Sequence, residues 1–200
     1  MFQLEETNLK PDPFNQFSVL YKYAQDEGEA SPEAMALATS TKDGLPSTRF
    51  VLLNAVSEGS FIFFTNYDSK KGHELKENPR AALAIYWPKV SLQIRAEGHV
   101  ELLSEDQSNV YFSLRSRESQ ISAWASQQSE IIPNRNYIEQ KWDEFDSKFG
   151  QSVPRPSNWG GFMLKAKVIE FWQSRKHRLH DRIRYTLQSK GQWRIERLSP

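Results

Sequence analysis

Ser91-Leu92-Gln93-Ile94-Arg95-Ala96-Glu97 is the stretch that decides the fold. Leu92, Ile94 and Ala96 alternate with Gln93, Arg95 and Glu97, the two-residue period of a strand with one apolar and one polar face. The polar face is a candidate site wall. Just upstream, Ala81 to Trp87 reads as another strand, set off by the helix stop Asn78-Pro79. Further back, Met35 to Ser40, Ser47 to Leu53 and Phe61 to Thr65 are joined by the turn sequences Lys42-Asp43-Gly44 and Ser57-Glu58-Gly59, the pattern of linked hairpins. Ser69 caps a short helix that carries Lys70, Lys71, Glu74 and Leu75.

Downstream, helical patterning runs from Ser104 to about Ala125 and again from Asn134 to Phe149. Closing strands follow the Pro154-Arg155-Pro156 loop: Trp159 to Lys165, Val168 to Trp172, Arg182 to Leu187 and Trp193 to Leu198, with a Lys190-Gly191 turn. At the other end, residues 1–13 read as a flexible lead-in, and Pro11-Asp12-Pro13 starts a helix in which Phe14, Phe17, Leu20, Tyr21 and Ala24 share a face. The expectation is an α+β, mainly β chain: a single domain over residues 14–200 built as an antiparallel barrel with flanking helices.

Composition narrows the function. With 26 basic and 25 acidic residues the formal charge is +1, which argues against a protein that coats nucleic acid or an anionic membrane. There is no cysteine, so disulfides, thiolate metal sites and cysteine nucleophiles are excluded and a reducing compartment fits. No run approaches the ~18 apolar residues of a membrane span, and a cytoplasmic protein is expected. Glycine-rich phosphate loops, HExxH and EF-hand spacings are missing, and His73, His99, His177 and His180 are too scattered to propose as a metal set.

What remains is dispersed basic chemistry. Arg178, His180 and Arg182 point to one face if that segment is extended, and that face meets either solvent or an anionic ligand, because a buried unpaired charge is costly. Tyr111, Arg115 and Ser119 are spaced four apart and form one polar stripe if helical, suited to a phosphate monoester; the alternative is a solvated face on which Arg115 and Arg117 pair with Glu118. Lys70 and Lys71 follow Ser69 at a helix start, where backbone N–H groups and the helix dipole favour an anion, or else they pair with Glu74. Arg49 heads the apolar strand Arg49-Phe50-Val51-Leu52-Leu53, where it needs a partner or reaches out to solvent. Trp124, Trp159 and Trp172 suit either a core or the wall of a planar-ligand site.

In order and spacing these pieces, with Phe64-Thr65-Asn66, Ser116 to Ile121, Trp159-Gly160-Gly161-Phe162 and Glu170-Phe171-Trp172, resemble the pyridoxamine/pyridoxine 5'-phosphate oxidases over nearly the whole chain. The resemblance implies a split β-barrel homodimer with two FMN sites at the subunit interface. By position, Arg49, Phe50, Val51, Leu52, Leu53, Phe64, Thr65, Lys70, Lys71 and Gln93 would hold FMN from one subunit, with Gln128, Ser129, Trp172 and Arg182 completing the site from the other. Tyr111, Arg115 and Ser119 would take the substrate phosphate, with Asn54 beside them, and the catalytic pair Arg178 and His180 would lie over the pyridine ring. The implied reaction converts pyridoxamine 5'-phosphate or pyridoxine 5'-phosphate to pyridoxal 5'-phosphate, with O2 as acceptor and H2O2 released. Three departures stand out: Asn54 occupies a position where the family usually has a lysine, residues 1–11 lack the arginine and tyrosine of the family's covering segment, and Ser174-Arg175-Lys176-His177 replaces a more neutral turn before Arg178. They leave two alternatives, an FMN-binding paralogue with another substrate and a non-catalytic pyridoxal-phosphate or flavin carrier.

Overall fold

The structure is a computed structural model that describes residues 3–200. The alternating stretch around Gln93 lies inside a nine-stranded antiparallel sheet. Its strands are β1 (Ala34–Ser40), β2 (Pro46–Leu52), β3 (Ala55–Ser57), β4 (Ser60–Asn66), β5 (Arg80–Trp87), β6 (Leu92–Leu102), β7 (Trp159–Gln173), β8 (Asp181–Leu187) and β9 (Trp193–Arg197). The helices are α1 (Pro13–Asp26), α2 (Lys70–Glu77), α3 (Glu105–Ser113), α4 (Arg117–Ala125) and α5 (Arg135–Lys148). The sheet runs β2-β1-β5-β6-β7-β4-β3, with β8 on β7 and β9 on β8. It curls far enough that β2 and β4, distant in strand order, come into contact, giving the mainly β split barrel with flanking helices.

The strand β7 organises the molecule. One edge pairs with β6 along nearly its whole length, while the other pairs first with β4, through Trp159–Lys165, and then with β8, through Val168–Gln173. The two strands expected here are therefore one. Alternation falters at Lys167-Val168 because Lys167 is the extra residue of a β-bulge: Glu97 lies opposite Val168, but Gly98 lies opposite Ala166. A bulge bends its strand and raises the local twist, so the two halves of β7 can serve different neighbours. Gly98 is required there, since a Cβ would sit 2.1 Å from the Lys165 carbonyl oxygen.

The inward apolar face of the alternation becomes the core. Leu92 and Ile94 of β6 pack with Leu37, Leu83, Ile85, Ile169 and Phe171, and α1 covers them with Phe17, Leu20 and Ala24. Asp12 caps α1 by accepting from the N–H groups of Phe14 at 2.7 Å and Asn15 at 3.1 Å, and Pro13 fits the first helical turn. Burying each large side chain is worth roughly 1.5–3 kcal/mol.

Two expectations give way. The helix expected from Ser104 to Ala125 is two helices, because Ser104 and Gln107 form a capping box for α3 and Ser116 caps α4, accepting from Ser119 N at 3.3 Å. Residues 3–12, expected as a flexible lead-in, are docked on the sheet. Leu4 is fully buried and donates from its N–H to Gln173 at 2.9 Å, Arg197 donates to Glu6 at 2.6 Å, and the Tyr185 hydroxyl donates to the Lys10 carbonyl at 2.9 Å. Met1 and Phe2 of that lead-in lie outside the described residues. Among the described residues no helix is long and apolar enough to cross a membrane.

Candidate functional site

A cavity of about 990 Å³ opens between β2, β4, the start of α2, the α3–α4 break and residues 126–129. Arg49, Phe50, Val51, Leu52, Asn54, Phe64, Thr65, Lys70, Lys71, Tyr111, Arg115, Ser119, Gln128 and Ser129, all expected at the site, line it.

One wall is cationic. The Lys71 side chain is buried, and its Nζ donates only to neutral oxygens: Thr65 Oγ1 at 3.0 Å, Ser69 Oγ at 3.0 Å and Gln128 Oε1 at 2.7 Å. Burial and then the nearby Arg49 hold its pKa down to about 8, with Glu74 opposing them. Ser129 accepts from the Lys70 N–H at 3.2 Å. Gln128 and Ser129 thus close on Lys71 and Lys70 of their own chain, whereas the resemblance assigned them to the partner subunit's side.

Arg49 does not reach to solvent. Its Nη1 donates to the Leu37 carbonyl at 3.2 Å and to the Thr39 hydroxyl, and its Nη2 donates to Ser47 Oγ at 2.5 Å and Glu74 Oε2 at 3.3 Å. The same Glu74 oxygen accepts from Thr39 at 2.5 Å and Ser47 at 2.6 Å. Burial pushes the Glu74 carboxyl pKa up, but hydrogen bonds from Ser47, Thr39 and Arg49 outweigh it and hold the group below its ordinary value.

The facing wall is aromatic with one guanidinium. The Tyr111 ring lies parallel to Phe64 with centroids 3.7 Å apart, and Phe64 continues to Trp159 at 5.5 Å. The Arg115 guanidinium sits 4.5 Å from the Trp159 ring centroid, and its Nη1 is buried without a hydrogen-bond partner among the described residues. Burial lowers its pKa. Asn54 Nδ2 donates to the Tyr111 hydroxyl, and Ser119 accepts from Ser116 at 3.0 Å. Tyr111, Arg115 and Ser119 meet at the cavity, but not as a helical stripe: Tyr111 ends α3, Arg115 is in the break and Ser119 starts α4. Trp124 is instead packed between Phe145 and Phe149, as helix-layer core.

The remaining candidates form a second cluster. Gln93 lies opposite Trp172, which lies opposite Arg182. Arg182 is held by buried Glu170, which accepts from Arg182 Nε at 2.8 Å and from Arg95 Nη2 at 2.6 Å. His180 packs on Trp172 with ring centroids 4.7 Å apart and accepts from the Arg175 N–H at 3.1 Å. Arg178, His180 and Arg182 do not share an extended face, because Lys176–Arg178 form a 3-10 turn in which His177 and Arg178 are left-handed, with φ of 59° and 62°. Neither this cluster nor Leu53 lines the cavity. Followed along the curled sheet, Trp172 is four inter-strand steps from β2, a path of roughly 19 Å, and eleven residues, a path of roughly 35 Å, from Gly161, opposite Phe64.

Glu74 and Glu170 are the polar site residues that sequence patterning does not reveal as anchors. Their only signals are an acid four residues after Lys70 and an acid on an otherwise apolar strand.

Residues 23–149 match the family described as pyridoxamine 5'-phosphate oxidase, and residues 159–200 match the pyridoxine 5'-phosphate oxidase C-terminal dimerisation region. The chain is 48% identical over 197 residues to the pyridoxine/pyridoxamine 5'-phosphate oxidase of Cupriavidus necator, covering 98% of this chain and 93% of that protein. It is 48% identical over 198 residues to the protein of the same name from a Nostoc species, covering 98% and 92%. Among solved structures, PhzG from Burkholderia lata in complex with tetrahydrophenazine-1-carboxylic acid aligns with a TM-score of 0.94 at 28% identity, over 100% of this chain and 98% of that one. A pyridoxamine 5'-phosphate oxidase-related, FMN-binding protein from Nostoc punctiforme shares the fold, with a TM-score of 0.77 at 16% identity over 96% and 100%.

Proposed function

The chain belongs to the pyridoxamine 5'-phosphate oxidase family, and from that premise we propose that it binds FMN and oxidises pyridoxamine 5'-phosphate or pyridoxine 5'-phosphate to pyridoxal 5'-phosphate, with O2 as acceptor and H2O2 as co-product. The observation that carries this is one cavity with two separate sets of anion-directed groups, Arg49, Lys70 and Lys71 in one and Tyr111, Arg115 and Ser119 in the other. A buried ammonium whose hydrogen bonds go to neutral oxygens and a buried guanidinium nitrogen with no partner among the described residues are both costly unless an anion completes them. Two phosphates, one on the cofactor and one on the substrate, meet that demand.

In this reading Arg49, Thr65, Lys70, Lys71, Gln128 and Ser129 hold the FMN phosphate end, while Phe50 to Leu53 and Phe64 bound the flavin ring. Arg115 holds the substrate phosphate by a charge-assisted contact, the Tyr111 and Ser119 hydroxyls donate to it, and the stack of Phe64, Tyr111 and Trp159 keeps water from that side. Bound FMN supplies the two-electron oxidation and the reaction with O2. Gln93, Trp172, Arg178, His180 and Arg182 of the second cluster do not line the cavity of their own chain. A homodimer solves this, since a second copy brings its cluster to the first copy's cavity, and the match to a dimerisation region over residues 159–200 supports that arrangement.

The test is direct. The purified protein should carry FMN and release H2O2 when given pyridoxamine 5'-phosphate in air. FMN retention without peroxide from either phosphorylated substrate would overturn the oxidase assignment. It would favour a second reading, an FMN enzyme for a carboxylated ring, to which the neutral Asn54 amide and the likeness to PhzG also point.

A further inference from the structure

Glu74 is buried among cations. Arg49 of β2 donates to its Oε2, Lys70 Nζ of its own helix lies 4.0 Å from its Oε1, and Lys71 feels its charge from the preceding turn. Three positive groups thus surround one carboxylate, an excess of two charges beside a cavity. Glu74 Oε2 gathers Arg49 and the hydroxyls of Thr39 and Ser47 into one knot, which fixes the guanidinium on β2 against α2. Its Oε1 is buried with no hydrogen-bond partner among the described residues. A buried acceptor left open is costly, and this one is kept where only its charge is felt.

The geometry points to Glu74 as the positioning residue of the phosphate end: it orients Arg49 and keeps Lys71 protonated, so that the pair presents two charges to the FMN phosphate. This rests on the FMN reading above. Without Glu74, Arg49 and Lys71 repel each other across the cavity wall with nothing between them, and the one of the two that can release its proton is Lys71. The charged groups facing Lys71 are Arg49 from β2 and Glu74 from its own helix, and its other neighbours, Thr65, Ser69 and Gln128, are neutral. An opposite charge a few ångströms away favours the charged form of a base, so removing Glu74 moves the loss of the Lys71 proton to lower pH.

The experiment titrates FMN, and separately riboflavin, into the cofactor-free full chain and follows quenching of flavin fluorescence from pH 6 to pH 9. Wild type should hold FMN with constant affinity from about pH 7, where the phosphate is already a dianion, until the pH nears about 8 and then weaken. Glu74→Gln keeps the shape and an acceptor but removes the charge; it should bind FMN about tenfold more weakly at neutral pH. Its weakening with pH should begin about one unit lower. Riboflavin affinity should be the same in both proteins. Glu74→Asp, which keeps the charge but draws it back from Arg49 and Lys71, should shift the pH limb in the same direction by less, and it serves if Glu74→Gln does not fold. An unchanged FMN limb in both variants, or equal losses for FMN and riboflavin, overturns the assignment. Failure of the wild type to bind FMN at all removes the reading on which it rests.

Discussion

Asn54 donates through Nδ2 to the Tyr111 hydroxyl, and so ties the residue before β3 to the last turn of α3. The bond leaves the Tyr111 proton directed away from Asn54, available to an anion in the cavity. It also means that the position contributes a neutral dipole where a cation would add charge.

Replacing Asn54 by lysine should therefore strengthen the hold on a phosphorylated substrate. The KM for pyridoxamine 5'-phosphate should fall roughly tenfold, with kcat little changed, since a ground-state contact is gained and not one confined to the transition state. Steady-state peroxide assays on Asn54→Lys and wild type decide it; an unchanged or higher KM counts against a phosphate bound beside Tyr111.

Arg115 carries the next expectation, because its planar group lies over Trp159 while one nitrogen stays open. Arg115→Lys keeps the charge and loses the fork, so KM should rise about tenfold or more. FMN affinity, measured by flavin fluorescence, should not change. A parallel loss of FMN would place Arg115 at the cofactor end instead.

Lys71 makes cofactor-free stability depend on pH. Its folded-state pKa is lowered to about 8, below that of an unfolded lysine, so between these values the unfolded chain holds more protons and stability rises with pH. The contribution is complete above the unfolded pKa and is lost as pH falls through about 8. Relative to Lys71→Met, the wild type should gain stability in urea denaturation as the pH is raised through that window. A constant difference between the two proteins would show that Lys71 titrates like a surface lysine.

At the bulge, Gly98→Ala places a methyl group against the Lys165 carbonyl and should destabilise the chain by about 2 to 3 kcal/mol. Chemical denaturation measures this directly. A neutral result would mean that β6 and β7 can separate there without cost.

The strands were legible because alternation is local: Leu92, Ile94 and Ala96 show their face without reference to any other part of the chain. The cavity residues were legible in identity but not in arrangement. Four-residue spacing of Tyr111, Arg115 and Ser119 suits a helix, yet Ser116 caps a new one between them, and a serine inside a helical pattern does not announce which role it takes. Left-handed backbone at His177 and Arg178 carries no glycine to signal it, so the expected common face of Arg178, His180 and Arg182 dissolves into a turn. Glu74 acts on Arg49, Thr39 and Ser47 only because α2 packs on β1 and β2, a relation that long-range pairing creates.

The shared edge of β7 also sets the order in which the protein can be made. β4 reads Ser60-Phe61-Ile62-Phe63-Phe64-Thr65-Asn66, and apart from the three residues of β3 its sheet partner is the stretch Trp159–Lys165, about a hundred residues later. A ribosome therefore releases this phenylalanine-rich edge long before its ladder can close, and non-local pairing of that kind is slow and exposed to aggregation. The cavity wall that carries Phe64 and Thr65 is thus among the last parts of the sheet to become permanent, although it is among the first to be synthesised.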